Sequence, residues 1–194
     1  MFKIKLFTIV GIIVIGISFH AYANESEDLP TGYSWYENDA LQVALPLPDG
    51  WHIKVKESSD GTQALFITKE KIDKKSRFQT GYTLNYFKNF TATKGISPTK
   101  YAMGYVLMAQ ASKPESDIIL EPWEKELGSN VFGAGIRIRT DSKPTTIVHY
   151  FLVADENEDS LRIMFFEAPE SEWEESWKLG ELMLSRGQLI KYKR

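Results

Sequence analysis

Hydrophobic residues recur along this chain in two rhythms, every second position and every third to fourth. The switches between them predict a run of strands broken twice by a helix. Leu41, Val43 and Leu45 alternate with Ala40, Gln42 and Ala44, which predicts a first strand. Residues 46–50 (Pro-Leu-Pro-Asp-Gly) predict a turn, because proline fixes φ and glycine accepts a positive one. Trp51, Ile53 and Val55 alternate with His52, Lys54 and Lys56, a second strand with one wet face. Asp60 and Gly61 signal a hairpin, and residues 63–68 form the third strand. After a charged connection, residues 80–87 alternate again, with Tyr82, Leu84 and Tyr86 on one face.

The period then changes. Ser97 and Pro98 open a helix as N-cap and first helical residue. Tyr101, Tyr105 and Met108, joined by Ala102 and Ala109, form its expected inner stripe, and Lys113 with Pro114 ends it. A strand from Asp117 runs towards Glu126, with Pro122 marking an edge or bulge. Residues 131–140 return with Ile136 and Ile138 inward and Arg137 and Arg139 outward. Residues 146–154 are almost entirely apolar, the mark of a central strand covered on both faces. Leu161, Ile163 and Phe165 face one way in the next strand, Met164 and Phe166 the other. A final helix carries Trp173, Trp177 and Leu184 on one stripe, with Gly180 allowing close approach. Ser171 and Glu174 have capping-box spacing, and Gly187 stands at the C-cap. The class is therefore α+β: a mainly antiparallel sheet with helices on both faces.

The N-terminus has a different pattern. Lys3 and Lys5 precede an uncharged run from Leu6 to Phe19, followed by Ala21-Tyr22-Ala23 and a polar acidic stretch. A basic start, a short apolar run and small residues three apart read as a signal peptide, residues 1–23, cleaved after Ala23. The apolar run is short of the ~20 residues a membrane span needs. Residues 24–35 then read as a flexible acidic leader and 36–190 as a single domain. The expected location is periplasmic or secreted.

Composition narrows the chemistry. The 194-residue chain contains no cysteine, so disulfides, thiolate nucleophiles and a lipid-bearing cysteine are excluded. A net charge of -3 offers no electrostatic footprint for nucleic acid. Signal removal takes Lys3, Lys5 and His20 away, which makes the remainder more acidic and leaves His52 and His149.

The element order and one motif resemble the PsbP-like family, an α/β/α sandwich. The carriers are the opening strand running into Leu45-Pro46-Leu47-Pro48-Asp49-Gly50-Trp51, the hairpin after it, the mid-chain helix and the tryptophan-bearing terminal helix, across residues 36–187. The resemblance implies binding rather than catalysis. Plant members attach to a membrane photosystem, relatives bind a small GTPase, and bacterial members include exported proteins and toxin-loading adaptors. No catalytic residue and no cofactor come with it.

Three features stand as candidate sites. Residues 69–77 carry five basic and two acidic side chains. Lys71, Lys74, Lys75 and Arg77 are placed to meet an acidic protein or anionic head groups, or else form a solvated loop. Trp173 and Trp177 either anchor the last helix or line a small-ligand or lipid pocket between helix and sheet. His149, amid apolar neighbours, is a core histidine or else a ligand or base. No metal-ligand spacing, nucleophile elbow or dinucleotide loop accompanies it. The reading is an exported, non-enzymatic binding or assembly module whose partner is another envelope protein or membrane-associated complex, with peripheral membrane contact as a further expectation. A ligand carrier and a metal-dependent hydrolase stand as alternatives.

Overall fold

The computed structural model describes residues 29–58, 61–73 and 78–189. The expected signal peptide, residues 24–28 of the expected leader, Asp60, and Lys74, Lys75 and Arg77 lie outside them. The elements run β1 (Tyr33–Asn38), β2 (Val43–Pro48), β3 (His52–Glu57), β4 (Gln63–Thr68), β5 (Gly81–Phe87), α1 (Phe90–Lys94), α2 (Pro98–Ala111), β6 (Ile118–Gly128), β7 (Val131–Thr140), β8 (Thr146–Asp155), β9 (Ser160–Pro169), α3 (Trp173–Arg186) and β10 (Gln188–Leu189). Seven strands form one sheet in the order β3-β4-β5-β9-β8-β7-β6, and β1-β2-β10 form a second, small one. All pairings are antiparallel.

Alternation along the central strands divides the core in two. Ile147, Phe151 and Val153 of β8 and Met164 and Phe166 of β9 face α3 and the small sheet, where Val43, Leu45, Trp173, Met183 and Leu184 close over them. Leu152 and Ala154 of β8 and Leu161 and Ile163 of β9 face α2, meeting Ala102 and Val106. The two long helices thus cover opposite faces, and β8 is buried on both. Each fully buried Leu, Ile or Phe here contributes about 1.5–3 kcal/mol.

Several local expectations are corrected. The leader gives way to strand earlier than residue 36, since β1 begins at Tyr33. The prolines do not turn the chain; Pro46 and Pro48 lie within β2. The Asp49 amide donates to Gly32, so alternation points the backbone nitrogens of Pro46 and Pro48 away from β1. On that side β10 reaches, among the described residues, only Ala44 and Val43, and a missing N–H costs nothing at an open edge. β3 is wet on both faces rather than one, because it ends the large sheet and, among the described residues, no helix covers it.

In α2, Ser97 caps as expected, its Oγ accepting from Lys100 N at 3.5 Å. Ala102 and Val106 rather than Met108 form the buried stripe; Met108 is 64% exposed. The capping box at Ser171 does not form. A 3-10 turn, Glu170–Glu172, starts the last helix one step later, so Glu172 is its N-cap and no side chain caps it. Gly187 has φ -58, so left-handedness is not its role. A Cβ there would come within 2.7 Å of Met183 O and 2.9 Å of Leu45 Cδ2. It lets the chain turn tightly from α3 into β10.

Candidate functional site

Under α3, four of the residues that matter converge. Arg137, read as outward from alternation alone, points to the face that α3 covers. Its guanidinium lies 4.1 Å from the Trp177 ring and 5.0 Å from that of Trp173. The two indoles are stacked, 5.2 Å apart and 14° from parallel. Arg137 stands opposite His149 in the β7–β8 register, and its Nε donates to His149 Nδ1 at 3.4 Å. The His149 ring lies 4.7 Å from Trp177. One β-strand step and one helical turn therefore bring a cation, an imidazole and two indoles into one stack.

The electrostatics fix what this group can do. His149 is 2% exposed. Burial first, and the Arg137 charge second, push its pKa down to about 3. It is thus neutral through the physiological range, with its proton on Nε2, which is buried without a hydrogen-bond partner. A group held that far from neutrality, sealed by Trp177, is poorly suited to proton transfer. Burial also lowers the pKa of Arg137, opposed by the charges of Glu181 and Glu174 on α3. Its cation is held by ring faces rather than by a direct carboxylate.

Gly180 completes the seat. A Cβ there would lie 2.5 Å from Phe166 Cγ, so the helix rides on the Phe166 ring. The space between α3, β2 and β10, lined by Val43, Leu45, Met183 and Leu189 among others, amounts to about 10 Å³. That is room for one water, whereas ligand sites run to several hundred Å³. Trp173 and Trp177 pack on each other and on Phe166, and neither lines that space. Among the described residues no three His, Asp or Glu side chains gather as a metal-ligand set.

A second polar group on the same face escaped sequence reasoning. Arg162 of β9 is 2% exposed. Its Nη2 donates to Gln42 Oε1 at 2.8 Å, the Tyr86 hydroxyl donates to the same oxygen at 2.7 Å, and the guanidinium lies 4.2 Å from the Tyr86 ring. Burial lowers the pKa of Arg162, opposed by Tyr86, Glu158, Asp155 and Tyr82. Gln42 sits at φ 56 in the turn before β2, so this group ties the small sheet to the large one. Arg162 shares the alternation of Met164 and Phe166, and that inward charge was the available signal.

Lys71 is exposed in the connection between β4 and β5. The base of that connection is pinned. Glu70 accepts from the amides of Gln79 and Thr80 at 3.0 and 3.1 Å, and Lys69 pairs with Glu172, just before α3, at 3.2 Å. The glycines of β7 each receive a side chain of β6, Leu127 at Gly133 and Trp123 at Gly135. Trp123 of β6 lies over Gly135, where a Cβ would be 2.6 Å from its ring, and stacks on Phe151 at 5.5 Å. On the α2 face, Glu167 is pushed up to about 7 by burial.

No family model and no curated protein matches the sequence. Solved structures do resemble it. The Ran-binding protein Mog1p of Saccharomyces cerevisiae is 11% identical, over 82% of this chain and 96% of that one, with a TM-score of 0.47. The cyanobacterial PsbP of Synechocystis sp. PCC 6803 is 14% identical, over 86% of this chain and 97% of that one, with a TM-score of 0.46. No residue role passes across at these identities.

Proposed function

We infer that the protein is a non-enzymatic binding module, exported to the cell envelope, that docks another envelope protein or a membrane-associated complex. The observation that carries this reading is the outer face of α2. Lys100 is the helix's single charged residue. With Ala102 and Val106 buried against the sheet, Met103, Leu107 and Met108 still stand 38%, 57% and 64% exposed on the far side. A surface helix ordinarily opposes its apolar stripe with charge. One that is apolar on both sides has a second surface to bury, and grouped exposed Leu and Met mark protein interfaces.

The test is capture from the envelope of the producing cell, the wild type against a Leu107→Asp, Met108→Asp double variant. A partner retained by the wild type and lost by an equally stable variant supports the reading. Equal capture by both removes α2 as the docking face. Export is checked by sequencing the N-terminus of the protein recovered outside the cytoplasm, expected to begin at Asn24. Recovery beginning at Met1 in a membrane fraction would overturn the export reading.

A further inference from the structure

The two ends of the large sheet are built differently. β6 is guarded: its register shifts at three places, Pro122 interrupts it, and Glu121, Glu124 and Glu126 are exposed along it. Such bulges, prolines and charges discourage a further strand. β3 has neither bulge nor proline. It pairs with β4 in unbroken register from His52↔Thr68 to Glu57↔Gln63, and among the described residues no strand lies on its outer side.

The open backbone positions can be assigned. The Ser58 amide donates to Thr62 O at 2.9 Å. Alternation then turns the amides and carbonyls of Lys56, Lys54 and His52 towards β4, and those of Ile53, Val55 and Glu57 outward. The side chains alternate too. Ile53 and Val55, 38% and 47% exposed, lie on the α3 face, in the rows of Ile67 and Leu65. His52, Lys54 and Lys56 lie on the α2 face.

We propose that the β3 edge takes up an extended peptide segment in which apolar and acidic residues alternate, adding an eighth strand to the sheet. Its backbone pairs with Ile53, Val55 and Glu57. Its apolar side chains flank Ile53 and Val55, and its carboxylates face His52, Lys54 and Lys56. A second copy of β3 does not fit. Any antiparallel register that sets Ile53 and Val55 side by side also sets Lys54 and Lys56 against lysines or a histidine, and like charges directly opposite repel. The same lysines that keep copies apart therefore select an acidic strand. This deepens the binding-module reading with a second surface and a ligand chemistry.

The test titrates a soluble peptide of alternating valine and glutamate into the purified protein and follows backbone amide signals. Saturable binding that shifts Ile53, Val55 and Glu57 is expected. A peptide of the same composition with its valines and glutamates in separate blocks should not bind. Lys54→Glu with Lys56→Glu, both at the exposed edge, should weaken binding about tenfold or more. Val55→Pro, which removes an outward N–H and leaves the ladder to β4 intact, should abolish it. No binding, binding that ignores both the peptide pattern and the charge reversal, or shifts confined to α2 would overturn the proposal. The Leu107→Asp, Met108→Asp variant should bind this peptide as the wild type does, so failure of the α2 reading is distinguishable from failure at β3.

Discussion

The two faces of the seven-stranded sheet solve the same problem in opposite ways. The face under α3 is covered twice, by a helix and by a second sheet, and it takes in charge: Arg162 and the neutral His149 are buried, and Arg137 lies half-buried against ring faces. The face under α2 is covered by one long helix and buries mainly aliphatic side chains, yet that helix keeps apolar residues on its solvent side. A face whose polar groups interlock has little room to rearrange, because each must keep its partner. A face closed by smooth apolar contact can present a second surface at no structural cost. The α3 side is thus the foundation of the fold, and the α2 side carries the surface we propose for docking.

The largest effect belongs on the α3 side. Trp177→Ala removes the ring that lies against Arg137, His149, Phe166 and Trp173 at once. It should cost about 3–5 kcal/mol in urea unfolding. A loss under about 1 kcal/mol would mean the stack does not hold the helix.

Next is the acid response. His149 titrates at about 3 in the fold and near 6.5 unfolded. Below pH 6.5 the unfolded chain binds the proton first, so stability falls with pH until about pH 3, by on the order of 2–4 kcal/mol. His149→Gln should flatten that slope in a pH series of unfolding curves. An unchanged slope would place the acid sensitivity elsewhere.

How much of this was legible depended on the range of the interaction. The strands from β3 to β9, and both long helices, were readable because their periods of two and of three to four are local. β1 and β10 were not. β1 has no clean alternation and β10 has two residues, so only pairing with β2 makes them strands. Trp173 and Trp177 were readable as an anchor or a pocket lining, and His149 as a core residue or a ligand. Their union with Arg137 was not, because it needs the β7–β8 register and knowledge of which helix covers which face. A period assigns two faces; it does not say that both are dry. Lys71 was readable as exposed, yet the tie from Lys69 to Glu172 spans 103 residues and leaves no local signal.

Gly180→Ala tests how closely the foundation is packed. Alanine favours a helix by about 1 kcal/mol, but here its methyl meets the Phe166 ring. A net loss of about 1–3 kcal/mol is expected from overpacking, read as a lower melting temperature. A gain would show that the helix can lift off the sheet, contrary to the contrast drawn above.

A smaller change, of opposite sign, belongs on the α2 face. The carboxyl of Glu167 is raised to about 7 by burial, so the fold favours its protonated form. The stability it contributes is present below the unfolded value of about 4.5 and is lost as pH rises through 7. Glu167→Gln should therefore stabilise the protein at pH 8 by on the order of 1–2 kcal/mol and change little at pH 4. Equal effects at both pH values would show that the carboxylate is matched by a partner.

The smallest stability effect should belong to the variant with the largest functional one. Leu107→Asp with Met108→Asp alters side chains already mostly in water, so unfolding should move by no more than about 1 kcal/mol, about 0.5 for each substitution. The two faces then separate cleanly. On the α3 side a single ring governs stability; on the outer side of α2 two side chains can change chemical class without the fold registering it. A loss of several kcal/mol from this pair would mean that these residues are structural, and that the apolar outer face belongs to the domain itself rather than to whatever docks on it.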